Sequence, residues 1–369
     1  MSGTDGDFTP EETARGRALR REQLPHVLGG RLAGLALLLV LGLSPAGAAL
    51  TGLFGDDRAL RVLAGGLLLV LLQQAVTLPF SARVRVVRRR YGLVTQGWGG
   101  WAVDVLRGLL VSVPLALAAL YGYYGLGWAW AALGAVCAAV VLSWLAPVVL
   151  EPLFNRFRPM EDGPLRDALL ALAERDRIPV RAVLVADASR RTTALNAYVS
   201  GFGRTRRIVA YDTLLGTAPA AEVELVVAHE LGHVKHRDVL RGTLLGAVGA
   251  GAGVCLLSAV MAGSSYGTGD PRGLFLLAAV AAVLSACAGP LGCAVSRRVE
   301  RRADTHALEL TGDAERFIAM QRRLTVTNVS DPDPPRLLHT LFGTHPTPVQ
   351  RIAAARAFAV AGQGAGQVY

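Results

Sequence analysis

Apolar residues along this chain fall into six blocks, 31–54, 60–80, 103–124, 128–150, 240–262 and 273–295, separated by segments dense in arginine and acid. Each block runs about 20 residues, enough for a helix to cross the ~30 Å hydrocarbon core of a bilayer. Glycine, alanine and serine recur inside the blocks, as close helix packing in lipid requires, and Pro45, Pro114, Pro147 and Pro290 are expected to kink or end their helices. Between the fourth and fifth blocks the period changes. After a linker from 151 to 164, residues up to about 176 follow helical spacing. Segments 181–186, 196–200 and 205–211 then read as strands, the last two joined by Gly201-Phe202-Gly203. Thr217 is placed to cap a further helix and Pro219 to lie in its first turn. The expected organisation is a polar cytoplasmic arm at 1–30, flexible and ending in a short helix. Four membrane helices follow at 31–150, with a basic loop at 83–100. A soluble domain at 151–239, two membrane helices at 240–295 and a cytoplasmic tail at 296–369 complete the chain.

Composition agrees with membrane insertion. The chain is 52% hydrophobic with mean hydropathy +0.40, above the ordinary soluble range. Its net charge of +10 raises nucleic acid as a partner, but the charge is placed otherwise. Arg83, Arg85, Arg88, Arg89 and Arg90 follow the second block with no acid among them, whereas the connections at 55–58 and 123–127 carry little positive charge. Positive charge marks the cytoplasmic side, so six spans put both termini and both soluble segments on that face. Ser44-Pro45-Ala46-Gly47-Ala48 resembles a signal cleavage region, but the long mixed-charge segment before it favours an uncleaved span. Cys137, Cys255, Cys287 and Cys293 lie in apolar blocks without metal-ligand spacing and read as buried packing residues.

The chemistry concentrates at Ala228-His229-Glu230-Leu231-Gly232-His233. Histidines four apart on a helix stand about 5–6 Å apart at Cβ, so two imidazoles can hold one metal with Glu230 beside its open position. Zinc held this way acidifies a bound water toward pKa ~7 and polarises a carbonyl, with the glutamate as general base. Histidine is scarce, seven in 369 residues, yet three lie within 229–236, which argues against a chance match. A catalytic zinc needs a third protein ligand. Glu300, 67 residues beyond His233 and brought back to the same face by two spans, is the expected one. Asp304, one turn on, is expected to orient a ligand histidine through its free ring N–H. The alternative is that both acids pair with neighbouring arginines. His236 is expected to point off the metal side, His306 to lie on the surface, and His345 to donate to the tetrahedral oxyanion. The strand pair is either a plain structural hairpin or an exposed edge, at Asn196-Ala197-Tyr198-Val199, to which an extended peptide adds as one more strand.

Several separated segments resemble one family, the membrane zinc peptidases that include the type I CAAX prenyl proteases. They are Arg90-Tyr91-Gly92-Leu93-Val94-Thr95-Gln96, Leu153-Phe154-Asn155-Arg156-Phe157 with Glu161-Asp162-Gly163, and Asn196-Ala197-Tyr198. Tyr211-Asp212-Thr213-Leu214-Leu215, the histidine motif, Glu300 with Ala303-Asp304, and Thr344-His345-Pro346 follow in the same order. The resemblance implies a mainly α, polytopic membrane protein whose helices enclose a chamber, capped by a gluzincin-like zinc peptidase domain with a small β-sheet. It implies one Zn2+ per chain held by His229, His233 and Glu300, Glu230 as base, and Asn196 holding substrate or oxyanion. The eukaryotic relatives have seven spans where this chain has six, which implies a chamber more open on one side. Arginine is abundant and Lys235 is the sole lysine, pointing to a GC-rich bacterial gene and a plasma-membrane location. The expected partners are the lipid bilayer and a peptide or protein substrate, membrane-associated or lipid-modified, with no nucleic acid. Membrane-protein quality control without prenyl specificity stands beside CAAX processing as the alternative role. Charges at Glu222, Glu224, Lys235, Arg237 and Asp238 argue against a protease that cuts within the membrane. A scaffold with structural zinc is disfavoured because such sites are closed by four protein ligands.

Overall fold

The computed structural model describes residues 6–365. The helix α1 (Pro10–Leu43) opens on a capping box, in which the Thr9 hydroxyl accepts from the Glu12 N–H and the Glu12 carboxylate accepts from the Thr9 N–H. The expected flexible arm is therefore helical from Pro10, and its first five residues lie outside the described ones. Its polar residues find partners far along the chain: Arg20 pairs with Asp331 at 2.6 Å and Asp7 with Arg356, while Phe8 and Leu19 are buried. Ser44 breaks the first apolar block, and α2 (Pro45–Gly52) restarts with proline in its first turn.

Next come α3 (Arg58–Arg90), α4 (Trp98–Tyr121) and α5 (Trp128–Leu145), the last two joined by a π-helical turn at Gly122–Leu126. Pro114 and Pro290 lie within their helices, whereas Pro147 sits in a second π-helical turn, Ala146–Leu150. A short α6 (Glu151–Phe154) leads to β1 (Phe157–Pro159), a strand inside the stretch expected to be linker. After α7 (Pro164–Arg175) come β2 (Ala182–Ala186), β3 (Ala197–Ser200), β4 (Arg207–Tyr211) and α8 (Asp212–Leu215). The sheet order is β1-β2-β4-β3, parallel only between β2 and β4, so β3 is an edge strand.

The helix α9 (Ala220–Lys235) begins after Pro219, with no side-chain cap. Thr217 is not its cap, because its hydroxyl turns back onto the Thr213 carbonyl at 2.8 Å. The chain ends in α10 (Asp238–Ala262), α11 (Leu274–Thr311), α12 (Ala314–Thr327), α13 (Arg336–Phe342) and α14 (Pro348–Ala365).

Among the described residues six helices are long and apolar enough to cross a membrane. They close a ring: α1 packs beside α3 and α11, α3 beside α4, and α5 beside α10, which returns to α11. Neighbours α4 and α5 meet chiefly through their π-helical turn. The four cysteines are free, and Cys137, Cys255 and Cys287 are exposed on the spans, not buried as expected, because a membrane helix turns apolar residues outward as well as inward. The soluble core is separate, built from Leu169, Ile208, Val223, Leu231, Phe317 and Ile352. The helix α11 joins the two layers, running unbroken from the ring into the soluble domain.

Candidate active site

Val223, Val227 and Leu231 recur every four residues on α9 and are completely buried, which fixes the rotation of that helix against the core. His229, Glu230 and His233 then lie at the crossing with α11. Gly232 permits the crossing: a Cβ there would stand 3.2 Å from Ala303 Cα and 3.1 Å from His306 Cβ.

The ring nitrogens Nε2 of His229 and His233 are 3.2 Å apart, and the Glu300 carboxylate comes within 3.4 Å of the first and 3.7 Å of the second. Donors around a tetrahedral zinc with bonds of about 2.0–2.1 Å sit about 3.3–3.4 Å from one another. The two imidazole nitrogens stand at about that spacing, and the Glu300 carboxylate faces both, Oε2 toward His229 and Oε1 toward His233. Tautomers point the same way. The Asp304 carboxylate accepts from His229 Nδ1 at 2.8 Å, and Asp238 accepts from His233 Nδ1 at 3.0 Å, leaving each Nε2 with a bare lone pair. Two lone pairs and a carboxylate facing one another repel unless a cation lies between them. Glu300 Oε2 is buried and makes no well-directed hydrogen bond. This donor set fits a divalent metal, and nitrogen and oxygen ligands at this spacing suit zinc.

Both orienting carboxylates are held from behind by arginine. Arg351 forks onto Asp304, with Nε 2.8 Å from Oδ2, and Arg302 pairs with Asp238. Asp304 thus pairs with an arginine distant in sequence, and it accepts from His229 as well. Burial works to depress the His229 pKa, but with no metal bound the Asp304 carboxylate accepting from Nδ1 and the Glu300 carboxylate facing Nε2 outweigh it and raise it to about 9. Proton and metal therefore compete for the same nitrogen. Burial pushes the Glu230 carboxyl upward, the Glu300 charge adds to the rise and the two histidines oppose it. Its carboxylate lies within 4.8 Å of the ring nitrogens, beside the triad.

His345 approaches from the loop before α14, with Nε2 3.3 Å from Glu300 Oε2 and a side chain 59% exposed. Its backbone carbonyl accepts from His339 at 2.8 Å. Asn196 is exposed at the start of β3, and among the described residues its side chain makes no hydrogen bond to this cluster. His236 leaves the centre and stacks edge-on against His306. His306, expected at the surface, is buried and bonds Asp176 at 2.9 Å, because the close approach at Gly232 carries α11 beneath α9. Sequence reasoning missed Asp238 and Arg351. The only local signal for Asp238 is its place as the first residue of α10, after Arg237 takes a left-handed φ of 55°. Arg351 lies one helical turn after Thr347, and nothing local marks it.

Residues 159–359 match the family described as Peptidase family M48, and residues 21–156 match CAAX prenyl protease N-terminal, five membrane helices. The chain belongs to peptidase family M48. An uncharacterized metalloprotease, YhfN, of Bacillus subtilis is 33% identical over 303 residues, 77% of this chain and 70% of that one. The CAAX prenyl protease 1 homolog of Oryza sativa is 33% identical over 195 residues, 50% of this chain and 45% of the relative. In fold the M48 chain is similar to the crystal structure of S. mikatae Ste24p, with a TM-score of 0.83 and 22% identity over 95% of this chain and 90% of that one. The protein is a multi-pass membrane metallopeptidase with a membrane chamber capped by the M48 domain.

Proposed function

We propose that the chain is a zinc endopeptidase in which His229, His233 and Glu300 hold one ion and Glu230 is the general base. The observation that carries this reading is the convergence of three bare donors at 3.2, 3.4 and 3.7 Å, with each histidine's other nitrogen tied to a carboxylate. The chemistry a bound zinc supplies there is acidification of water and polarisation of the scissile carbonyl.

The chain's own residues do the rest. Glu230, with its carboxyl raised by burial, takes a proton from the attacking water and passes it to the leaving amine. Asp304 and Asp238 keep both imidazoles in the tautomer that presents Nε2. His345, largely exposed beside Glu300, donates to the oxyanion, and Asn196 assists at the head of β3. The edge of β3 receives the substrate backbone as a further strand. The substrate is a membrane-associated peptide or protein reaching the site from the cytoplasmic face, a side supported by the arginine cluster in the last turns of α3 through the positive-inside rule. A bacterial plasma membrane fits the arginine-rich composition.

Purified full-length protein should carry about one zinc per chain and cleave a peptide. The variant Glu230→Gln should retain the metal and lose about 10²–10⁴-fold in kcat, the usual worth of a general base. Intact hydrolysis in that variant would sink the mechanism. Comparing prenylated and unmodified versions of one peptide decides between CAAX-type processing and cleavage without prenyl specificity.

A further inference from the structure

We infer that residues 188–195, which lead the chain into β3, form a strap clamped by the loop between α3 and α4, with Arg191 and Asp104 as positioning residues for the substrate strand. This rests on β3 being the strand to which substrate adds.

Among the described hydrogen bonds, the loop Tyr91-Gly92-Leu93-Val94-Thr95-Gln96 makes none to the metal centre; its ends bond α1, α3 and α4, and its middle bonds this strap. Val94 and Thr192 form an isolated antiparallel bridge, and the Thr95 N–H donates to the Arg191 carbonyl at 3.1 Å. Side chains tie the two segments in both directions. Thr192 and Thr193 hydroxyls donate to the carbonyls of Leu93 and Gly92 at 2.9 and 3.0 Å, and the Thr95 hydroxyl donates to that of Ser189 at 2.7 Å. Gly92 turns the loop through a φ of 78°, which a side chain rarely adopts.

The charged part of the clamp reaches the membrane ring itself. Arg191 pairs with Asp104 of α4 at 3.0 Å, both partly buried, and the Gln96 amide donates to the same carboxylate at 2.6 Å. From the opposite side, the Thr213 hydroxyl donates to the Ala194 carbonyl at 2.8 Å and the Leu195 N–H donates to Asn328 Oδ1 at 2.9 Å. The residue that follows is Asn196, the head of the edge strand. Its backbone therefore leaves a segment held on both sides.

Fixing one residue's backbone costs about 1–2 kcal/mol, and a segment ordered in advance spares that cost when a ligand binds. Some of the strap's bonds stay within the soluble domain. Those crossing to Asp104 and to the α3–α4 loop instead fix β3 relative to the ring wall, which sets where a peptide lying on β3 meets the metal centre.

The test compares two peptides with the full-length protein in detergent, one of about eight residues, long enough to pair along a strand, and one of about four spanning little beyond the cleaved bond. Wild-type cleavage is measured first; failure to cleave either peptide would overturn the peptidase reading and this inference with it. Given cleavage, Arg191→Ala and Asp104→Asn should keep zinc content and raise KM for the long peptide about tenfold, with kcat and the short peptide little changed. Because both break one clamp, the double variant should be no worse than either single one. Arg191→Lys, which keeps the charge but loses the guanidinium's reach to both Asp104 and Asn155, should fall between wild type and Arg191→Ala and covers the case in which the alanine variant does not fold. Unchanged KM in folded variants, or equal losses for both peptides, would overturn the strap's role while leaving the peptidase reading intact.

Discussion

Asp304 does two things at once, accepting from His229 at 2.8 Å and receiving the fork of Arg351, so one side chain fixes the ring of the proposed ligand and ties α14 to α11. Outer carboxylates of this kind are worth about 10–100-fold in metal affinity. Asp304→Ala should lower zinc affinity by that factor, measured by competition with a chromophoric chelator, with Glu230 untouched; wild-type affinity would show that the carboxylate does not orient the ring. Gly232 acts at the same scale by omission. Its missing side chain lets Ala303 Cα approach to where a Cβ would have 3.2 Å of space, and that approach brings Glu300 within reach of both histidines.

At the scale of elements, α1 is the helix whose role differs most from its polar appearance. Its N-terminal half carries arginines and glutamates, yet Gly16 lies so close to the 330–331 backbone that a Cβ there would overlap the Ser330 carbonyl. Arg20 then pairs with Asp331, and the Tyr91 hydroxyl donates to Glu22 at 2.6 Å. One helix thus ties the ring, the α3–α4 loop and the soluble domain together. Gly16→Val should push α1 off this seat and destabilise the protein by about 1–3 kcal/mol, the usual cost of overpacking. Thermal unfolding in detergent reads the effect, and an unchanged midpoint would mean that α1 is not seated there in solution.

For the whole molecule, the long α11 decides how membrane and catalysis are joined, because the helix that closes the ring against α1 and α10 also carries Glu300 and Asp304. The proposed metal site and the ring wall therefore share one helix. By the positive-inside rule, the arginine distribution predicts that the soluble domain faces the cytoplasm. In intact cells a cysteine placed at Asp56 should react with a membrane-impermeant maleimide, and one placed at Asp162 should react only after permeabilisation, in a background with the four native cysteines replaced. The reverse pattern would invert the topology.

The histidine motif, the six spans and the edge strand were legible in the sequence because each depends on local period: four residues on a helix, two on a strand, about twenty apolar residues across a bilayer. The return of Glu300 was legible too, since two spans must bring the chain back to the face it left. The tertiary structure alone decided which distant residues hold those groups in place. Asp238 reaches His233 only because Arg237 turns the chain, Arg351 reaches Asp304 from 47 residues away, and the α3–α4 loop meets the strap before β3 across about a hundred residues. These are hydrogen bonds and ion pairs between segments with no shared period, so nothing in the local pattern of the chain encodes them.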